Sequence, residues 1–208
     1  MKKLTLFEIG PSPNCMKARL ALNLKGLEYE KVAIDFQNRS RVIEVSTQPL
    51  VPVLKHGDTV IFDSRGILRY LDANVKKEPR LYSDDSMKLR VIEGWEDYAN
   101  TELFKSLGMA FHQALAEEKD EIIISSANQL LASLTEKIEN ALQEKPFLLG
   151  NEICAADITA VPILFYTVIP AEKVPDNPIS QFISANLKLG TGREKTREWV
   201  EKVAELDN

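Results

Sequence analysis

Strand and helix signals alternate from Leu4 to Asn74 of this 208-residue chain, and beyond about residue 83 only helical signals remain. That switch of period constrains the fold more than any other feature. Leu4 to Ile9 is a short apolar run with strand character, ended by Gly10-Pro11-Ser12-Pro13-Asn14, which cannot continue a ladder. From Asn14 to Lys25 the apolar residues Met16, Leu20 and Leu24 recur every four, with Ala21 beside them and Gly26 as a C-terminal stop. Tyr29 to Ile34 reads as a second strand, and a strand-helix-strand unit of this length implies a parallel pair. Arg39 to Ser46 holds one short helix. Val51 to Lys55 and Thr59 to Phe62 flank His56-Gly57-Asp58, a compact hairpin turn, and Ser64 to Asn74 returns to helix. The order βαβαββα predicts a mixed sheet with helices on its faces.

Asp85 to Ala116 then forms one long helical pattern, in which Gly94 and Gly108 suggest a bend or close packing. Glu121 to Gln143 is helical. Ala155 to Val168 is nearly all apolar, so the pattern predicts a helix buried on every side and kinked by Pro162. Pro178 to Leu189 and Arg193 to Leu206 supply two more helices, split by Gly190-Thr191-Gly192. The expectation is an α/β domain over residues 1–77 and an all-α domain over 84–208, with a linker at Lys76-Lys77-Glu78-Pro79.

The bulk properties narrow the function. A net charge of −5 and a pI near 5.3 argue against a nucleic-acid surface or an anionic membrane as main partner. No stretch approaches the roughly 20 apolar residues of a membrane span. Met1 to Leu6 gives way to a polar residue at Glu8 too soon for a signal peptide. Cys15 and Cys154 sit far apart, a usage that fits a reducing cytosol, so a cytoplasmic location is expected. With only His56 and His112 and no clustered cysteines, no metal site is expected.

Asp63-Ser64-Arg65 opens the helix that runs through Ile67, Leu68 and Leu71. A helix start exposes unpaired N–H groups under the positive end of the macrodipole, which suits a carboxylate. Asp63 beside it suits an ammonium group. An amino-acid end or a γ-glutamyl moiety carries both. The plainer reading is that Ser64 or Asp63 caps the helix.

Three stretches resemble the N-terminal domain of cytosolic glutathione transferases: Ser12-Pro13-Asn14-Cys15-Met16-Lys17-Ala18-Arg19-Leu20-Ala21-Leu22, Val51-Pro52-Val53-Leu54, and Phe62-Asp63-Ser64-Arg65-Gly66-Ile67-Leu68-Arg69-Tyr70-Leu71-Asp72. A fourth, Leu148-Leu149-Gly150-Asn151-Glu152 with Ala156-Asp157-Ile158, resembles a loop and buried helix of that family's C-terminal domain. All four occur in the family's order. The resemblance, whose N-terminal motif is like that of the serine-type tau, phi and zeta kinds, implies a thioredoxin-like N-terminal domain and an all-α C-terminal domain. It also implies glutathione as cosubstrate, no tightly bound cofactor, detoxification of electrophiles and a homodimer.

The thiol of glutathione titrates near 8.5, so only a few per cent is thiolate at neutral pH. The resemblance makes Ser12 the catalytic residue, donating a hydrogen bond to the sulfur; otherwise Ser12 is a turn residue. It also implies a cis bond before Pro52, with the backbone of Val51 pairing with the cysteinyl part of glutathione, and Asp63 and Ser64 holding the γ-glutamyl end. Arg65 is either a carboxylate contact or a solvated surface arginine. Leu50 stands where relatives often place a polar side chain for the glycyl carboxylate, a departure that Gln48 or Lys55 would have to offset. Cys15 sits three residues after Ser12, in the second position of a Cys-x-x-Cys-like spacing. It is either a packed small residue or, if exposed, the thiol of a glutathione-dependent oxidoreductase. Cys154 replaces the Ser or Thr of the usual capping box before Asp157, a poor cap that costs about 1 kcal/mol. Tyr98, Phe104 and Met109, beside Trp95, Leu103, Phe111 and His112 on the same helical stretch, are either candidates for a second-substrate wall or core and dimer contacts. The function expected is conjugation of glutathione to a small hydrophobic electrophile. The competing readings are a non-catalytic interaction module and the oxidoreductase.

Overall fold

The computed structural model describes residues 3–75 and 77–207, so the expectations placed on Met1, Lys2, Lys76 and Asn208 lie outside the described residues. The chain divides into two units, one running to Ser83 and including Leu206 and Asp207, the other from Asp84 to Glu205.

In the first unit, β1 (Leu4–Glu8), α1 (Pro13–Leu24), β2 (Glu30–Ala33), α2 (Ser40–Ser46), β3 (Val53–His56), β4 (Thr59–Phe62) and α3 (Ser64–Asn74) follow in order. The sheet order is β2-β1-β3-β4. β1 and β2 are parallel, as a helical crossover requires, while β1–β3 and β3–β4 are antiparallel. Alternation along β1 splits the core. Phe7 joins Val32, Ile34, Val42 and Val53 in a buried cluster, while Leu4, Leu6 and Glu8 occupy the other face. α1 buries Cys15, Met16, Ala18, Leu20, Ala21 and Leu22 and packs against α3. Gly26, at φ 57°, ends α1 with its own N–H on Asn23 O and the Leu27 N–H on Leu22 O. Gly57, at φ 61°, makes the hairpin turn.

In the second unit the long helical pattern is not one helix. α4 (Ser86–Tyr98) and α5 (Phe104–Leu115) are joined by a π-helical turn over Ala99–Leu103. An added Cβ at Gly94 or Gly108 would meet nothing within 4 Å, so neither glycine is there for close packing. Within the turn the hydroxyl of Thr101 donates to the Asp97 carbonyl at 2.7 Å. α6 (Glu121–Ala141), α7 (Ala155–Leu164), α8 (Pro178–Asn186) and α9 (Glu194–Ala204) complete the unit. All ten residues of α7 are buried, as their apolar run requires. The helix continues through Pro162 and ends at Leu164, four residues short of Val168, with a 3₁₀ turn over Phe165–Thr167. Asp157 anchors its start, accepting from Leu148 N–H, Cys154 N–H and the Trp199 indole at 2.9 Å each. The Cys154 thiol donates to the same carboxylate at 3.3 Å.

Candidate functional site

The strand pairing decides which loops meet. Phe7 of β1 stands opposite Val53 of β3, and Val53 opposite Phe62 of β4. The chain therefore leaves β1, enters β3 and leaves β4 at the same end of the sheet. Ser12 follows β1, Val51 precedes β3, and Asp63-Ser64 follow β4. β2, parallel to β1, delivers Arg39 to that end as well. Three neighbouring strands span about 10 Å, the length of about three extended residues. A tripeptide laid across this end reaches all three loops.

Ser12 is the N-cap of α1, with φ −70° and ψ 123°, followed by Pro13 at the first helical position. Its half-buried Oγ accepts the Cys15 N–H at 3.4 Å. Among the described residues its own proton is donated to no group, so the hydroxyl remains a donor beside a helix N-terminus.

Cys15 has no exposed surface, and its sulfur accepts the Ile9 N–H at 3.4 Å. Burial pushes its thiol pKa up, opposed by the Ile9 N–H and Ser12. A sulfur with no exposed surface is out of reach of an attacking thiol. The exposure that an oxidoreductase role demanded is absent at Cys15.

The Val51–Pro52 peptide is cis. The Val51 side chain packs against the buried cluster of Phe7 and Val53. Its N–H and C=O pair with nothing among the described residues, leaving one donor and one acceptor side by side for an extended peptide.

Asp63 does not cap α3, since its side chain accepts no hydrogen bond from the helix. Its backbone sits at φ 68°, ψ 125°, a conformation that L-residues rarely adopt. Its carboxylate is exposed. Ser64 is the first helical residue, only 7% exposed, and its hydroxyl has no partner among the described residues. Capping thus fails for Asp63, and a free hydroxyl sits in the first turn of α3. Arg65 is half-buried and has a partner of its own.

Leu50 is 73% exposed. Gln48 cannot offset it: its amide closes on Leu50 N–H, Leu50 O and Ser46 Oγ, folding the loop on itself. Sequence reading missed Arg39. It stacks on Phe36 at 5.2 Å, donates Nε to Phe36 O, and holds Nη1 buried without a partner among the described residues. An orphaned guanidinium nitrogen is costly unless an acceptor fills it. No sequence pattern marks such a group.

In the second unit the Tyr98 hydroxyl donates to Leu134 O at 2.7 Å, and its ring lies 4.2 Å under the Lys137 ammonium and edge-on to Trp95. Burial pushes its phenol up to about 12. Phe104 and Met109 are half-buried and, five residues apart on α5, face different directions. His112 is exposed. Among the described residues no group of His, Cys, Asp and Glu is arranged to hold a metal, and no helix is long and apolar enough to cross a membrane.

Family models of the glutathione S-transferase N-terminal domain and C-terminal domain match residues 6–79 and 96–207. The chain belongs to the glutathione S-transferase family. It is 30% identical over 171 residues to glutathione S-transferase Z2 of Arabidopsis thaliana, covering 77% of this chain and 74% of that protein. It is 27% identical over 167 residues to glutathione S-transferase F10 of the same plant, covering 76% and 78%. Among solved structures it is similar to the tau class glutathione S-transferase of mango, with a TM-score of 0.75 at 21% identity over 97% of this chain and 88% of that one. It is also similar to Ure2p in complex with glutathione, with a TM-score of 0.74 at 20% identity over 98% and 90%. The sheet order β2-β1-β3-β4 followed by an all-helical unit is the fold of this family. As a glutathione transferase, the chain has glutathione as its cosubstrate.

Proposed function

We propose that this transferase binds reduced glutathione at the end of the sheet where Ser12, Val51 and Asp63-Ser64 emerge, and joins its thiolate to a small hydrophobic electrophile. The observation that carries the reading is the set of unspent groups there: the Ser12 proton, the Val51 N–H and C=O, and the Ser64 hydroxyl. In this reading Ser12 donates to the sulfur, and the α1 N-terminus adds favourable potential. Val51 takes the cysteinyl backbone against Pro52. Ser64 and the first turn of α3 receive the γ-glutamyl carboxylate, and Asp63 its ammonium group. Arg39 takes over the glycyl carboxylate that Leu50 and Gln48 cannot hold. Lowering the thiol pKa by roughly two units corresponds to about 2.7 kcal/mol of differential stabilisation.

Phe104 and Met109 are retained as candidates for the electrophile's wall. Tyr98 is assigned instead to holding α4 on α6, since its hydroxyl is already used. A second copy of this chain as partner, a cytoplasmic location and a part in detoxification belong to the same proposal, and family membership supports them. Calorimetric titration with reduced glutathione, repeated on Ser12→Ala, tests it. Binding in the millimolar range or tighter, with conjugation lost only in the variant, is the expected result; an absence of binding heat would leave a non-catalytic module.

A further inference from the structure

Glu8, Arg19 and Asp207 form one ionic cluster in the first unit. Arg19, on the second turn of α1, donates Nη1 to Glu8 Oε2 at 2.5 Å, and Nε and Nη2 to the two oxygens of Asp207 at 2.6 and 2.7 Å. The guanidinium and the Glu8 carboxylate are each 8% exposed, and the Asp207 carboxylate 16%. One turn further along α1, Asn23 donates to Leu206 O at 2.6 Å. The segment 206–207 is therefore clamped along α1 by a bidentate fork and a second hydrogen bond, geometry that costs ordering entropy and is strong where solvent is excluded.

The position of this cluster is what gives it consequence. Glu8 is the last residue of β1, and Arg19 lies seven residues beyond Ser12 on α1. Their ion pair closes the base of the β1–α1 loop, and Ser12 is carried on that loop. Glu8 alone satisfies one edge of the guanidinium. Without Asp207 the other edge would be buried with no acceptor, and Arg19 would turn outward to find water. We propose that Asp207 is a positioning residue for Ser12: it holds Arg19 on Glu8 and so fixes the spacing of β1 and α1 across which the Ser12 loop is slung. The proposal rests on the assignment of Ser12 to the glutathione sulfur. Asp207 itself touches none of the groups assigned to glutathione.

The direction of one measurable quantity separates positioning from a simple charge effect. Removing a negative charge near α1 favours the thiolate and lowers the pKa of bound glutathione. Displacing Ser12 removes a donor to the thiolate and raises it. The test is the full chain carrying Asp207→Asn, with Ser12→Ala as reference, titrating the ultraviolet absorbance of the thiolate in the glutathione complex. The expected result is a rise of about half a pH unit, roughly a threefold shift of the thiol–thiolate equilibrium, with glutathione affinity unchanged within about twofold. Amide exchange of residues 9–16 should accelerate about tenfold while that of β4 stays unchanged. Asp207→Glu, which keeps the charge and shifts the carboxylate, should move both quantities the same way by less.

An unchanged or lowered thiol pKa in Asp207→Asn, while Ser12→Ala raises it, overturns the positioning role and leaves Ser12 standing. A thiol pKa insensitive to Ser12→Ala overturns the assignment of Ser12 and this proposal with it.

Discussion

The ammonium of Lys25 lies 2.9 Å from Asp72 Oδ1 with no exposed surface, joining the C-terminal end of α1 to α3. The same nitrogen donates to Lys77 O at 2.6 Å and Pro79 O at 2.9 Å. Asp72 also accepts the Leu81 N–H at 2.8 Å. A buried charge survives here because every one of its donors is used. Lys25→Met leaves Asp72 with fewer donors and two carbonyls without a partner. The first unit should lose about 3 kcal/mol, read as a lower urea midpoint with an unchanged slope.

Asp72 also sets a pH dependence. Burial opposes its ionisation, but the Leu81 N–H, Lys25 and Arg80 outweigh it and hold the carboxyl below its ordinary range. A carboxyl of depressed pKa stabilises the fold fully above its unfolded value, about 3.9, and that stabilisation disappears as pH falls through the folded value. Urea midpoints of the protein should therefore drop on acidification below about pH 4. Asp72→Asn should flatten that part of the profile while lowering the midpoint at pH 7.

Ser12→Ala removes the donor to sulfur and keeps the binding groups of Val51 and Ser64. Conjugation at pH 7 should fall about a hundredfold in kcat, the usual effect of deleting one preorganised donor, with glutathione affinity within about twofold. Because the bound thiol then titrates nearer its free value of about 8.5, raising the pH to 9 should restore a good part of the rate. A variant that conjugates at the parental rate at pH 7 refutes the role of Ser12.

Neither cysteine should react in the native protein. Cys15 is 0% and Cys154 8% exposed, and burial raises both thiols, with the Asp157 charge adding to the rise at Cys154. Labelling with a thiol reagent should find neither in buffer and both in denaturant. Cys15→Ala should conjugate at close to the parental rate, which separates this transferase from a thiol oxidoreductase.

Arg39→Ala and Ser64→Ala act on opposite ends of glutathione in the proposed pose. Each should raise the KM for glutathione about tenfold with little change in kcat, the signature of lost uniform binding. A KM unmoved by Arg39→Ala would show that its buried Nη1 serves no ligand.

Much of this was legible because local chemistry and global fold agree. Gly26 and Gly57 stand where the chain needs positive φ, and Pro11 and Pro13 stop a strand where the sheet ends. Ser12, Val51-Pro52 and Ser64 were legible from spacing and resemblance, and the register of β1, β3 and β4 explains why segments so far apart share one end of the sheet. Other features left no local trace. Thr47 ends α2 at φ 60°, where a β-branched residue is a poor choice and only the folded context enforces it. Arg39 reads as an ordinary surface arginine until its Nη1 is found buried. The partner of Arg19 lies 188 residues away, a pairing that no periodicity encodes.

The wide turn over Ala99–Leu103 has a consequence for any mutational scan of this stretch. It inserts the equivalent of one residue, so side chains before and after it are out of phase by about 100°. Ser86–Tyr98 and Phe104–Leu115 must be plotted on two separate helical wheels. Deleting one residue between them would not swing the following helix to a new compass bearing; it would take out the extra residue and close the two pieces into one regular α-helix.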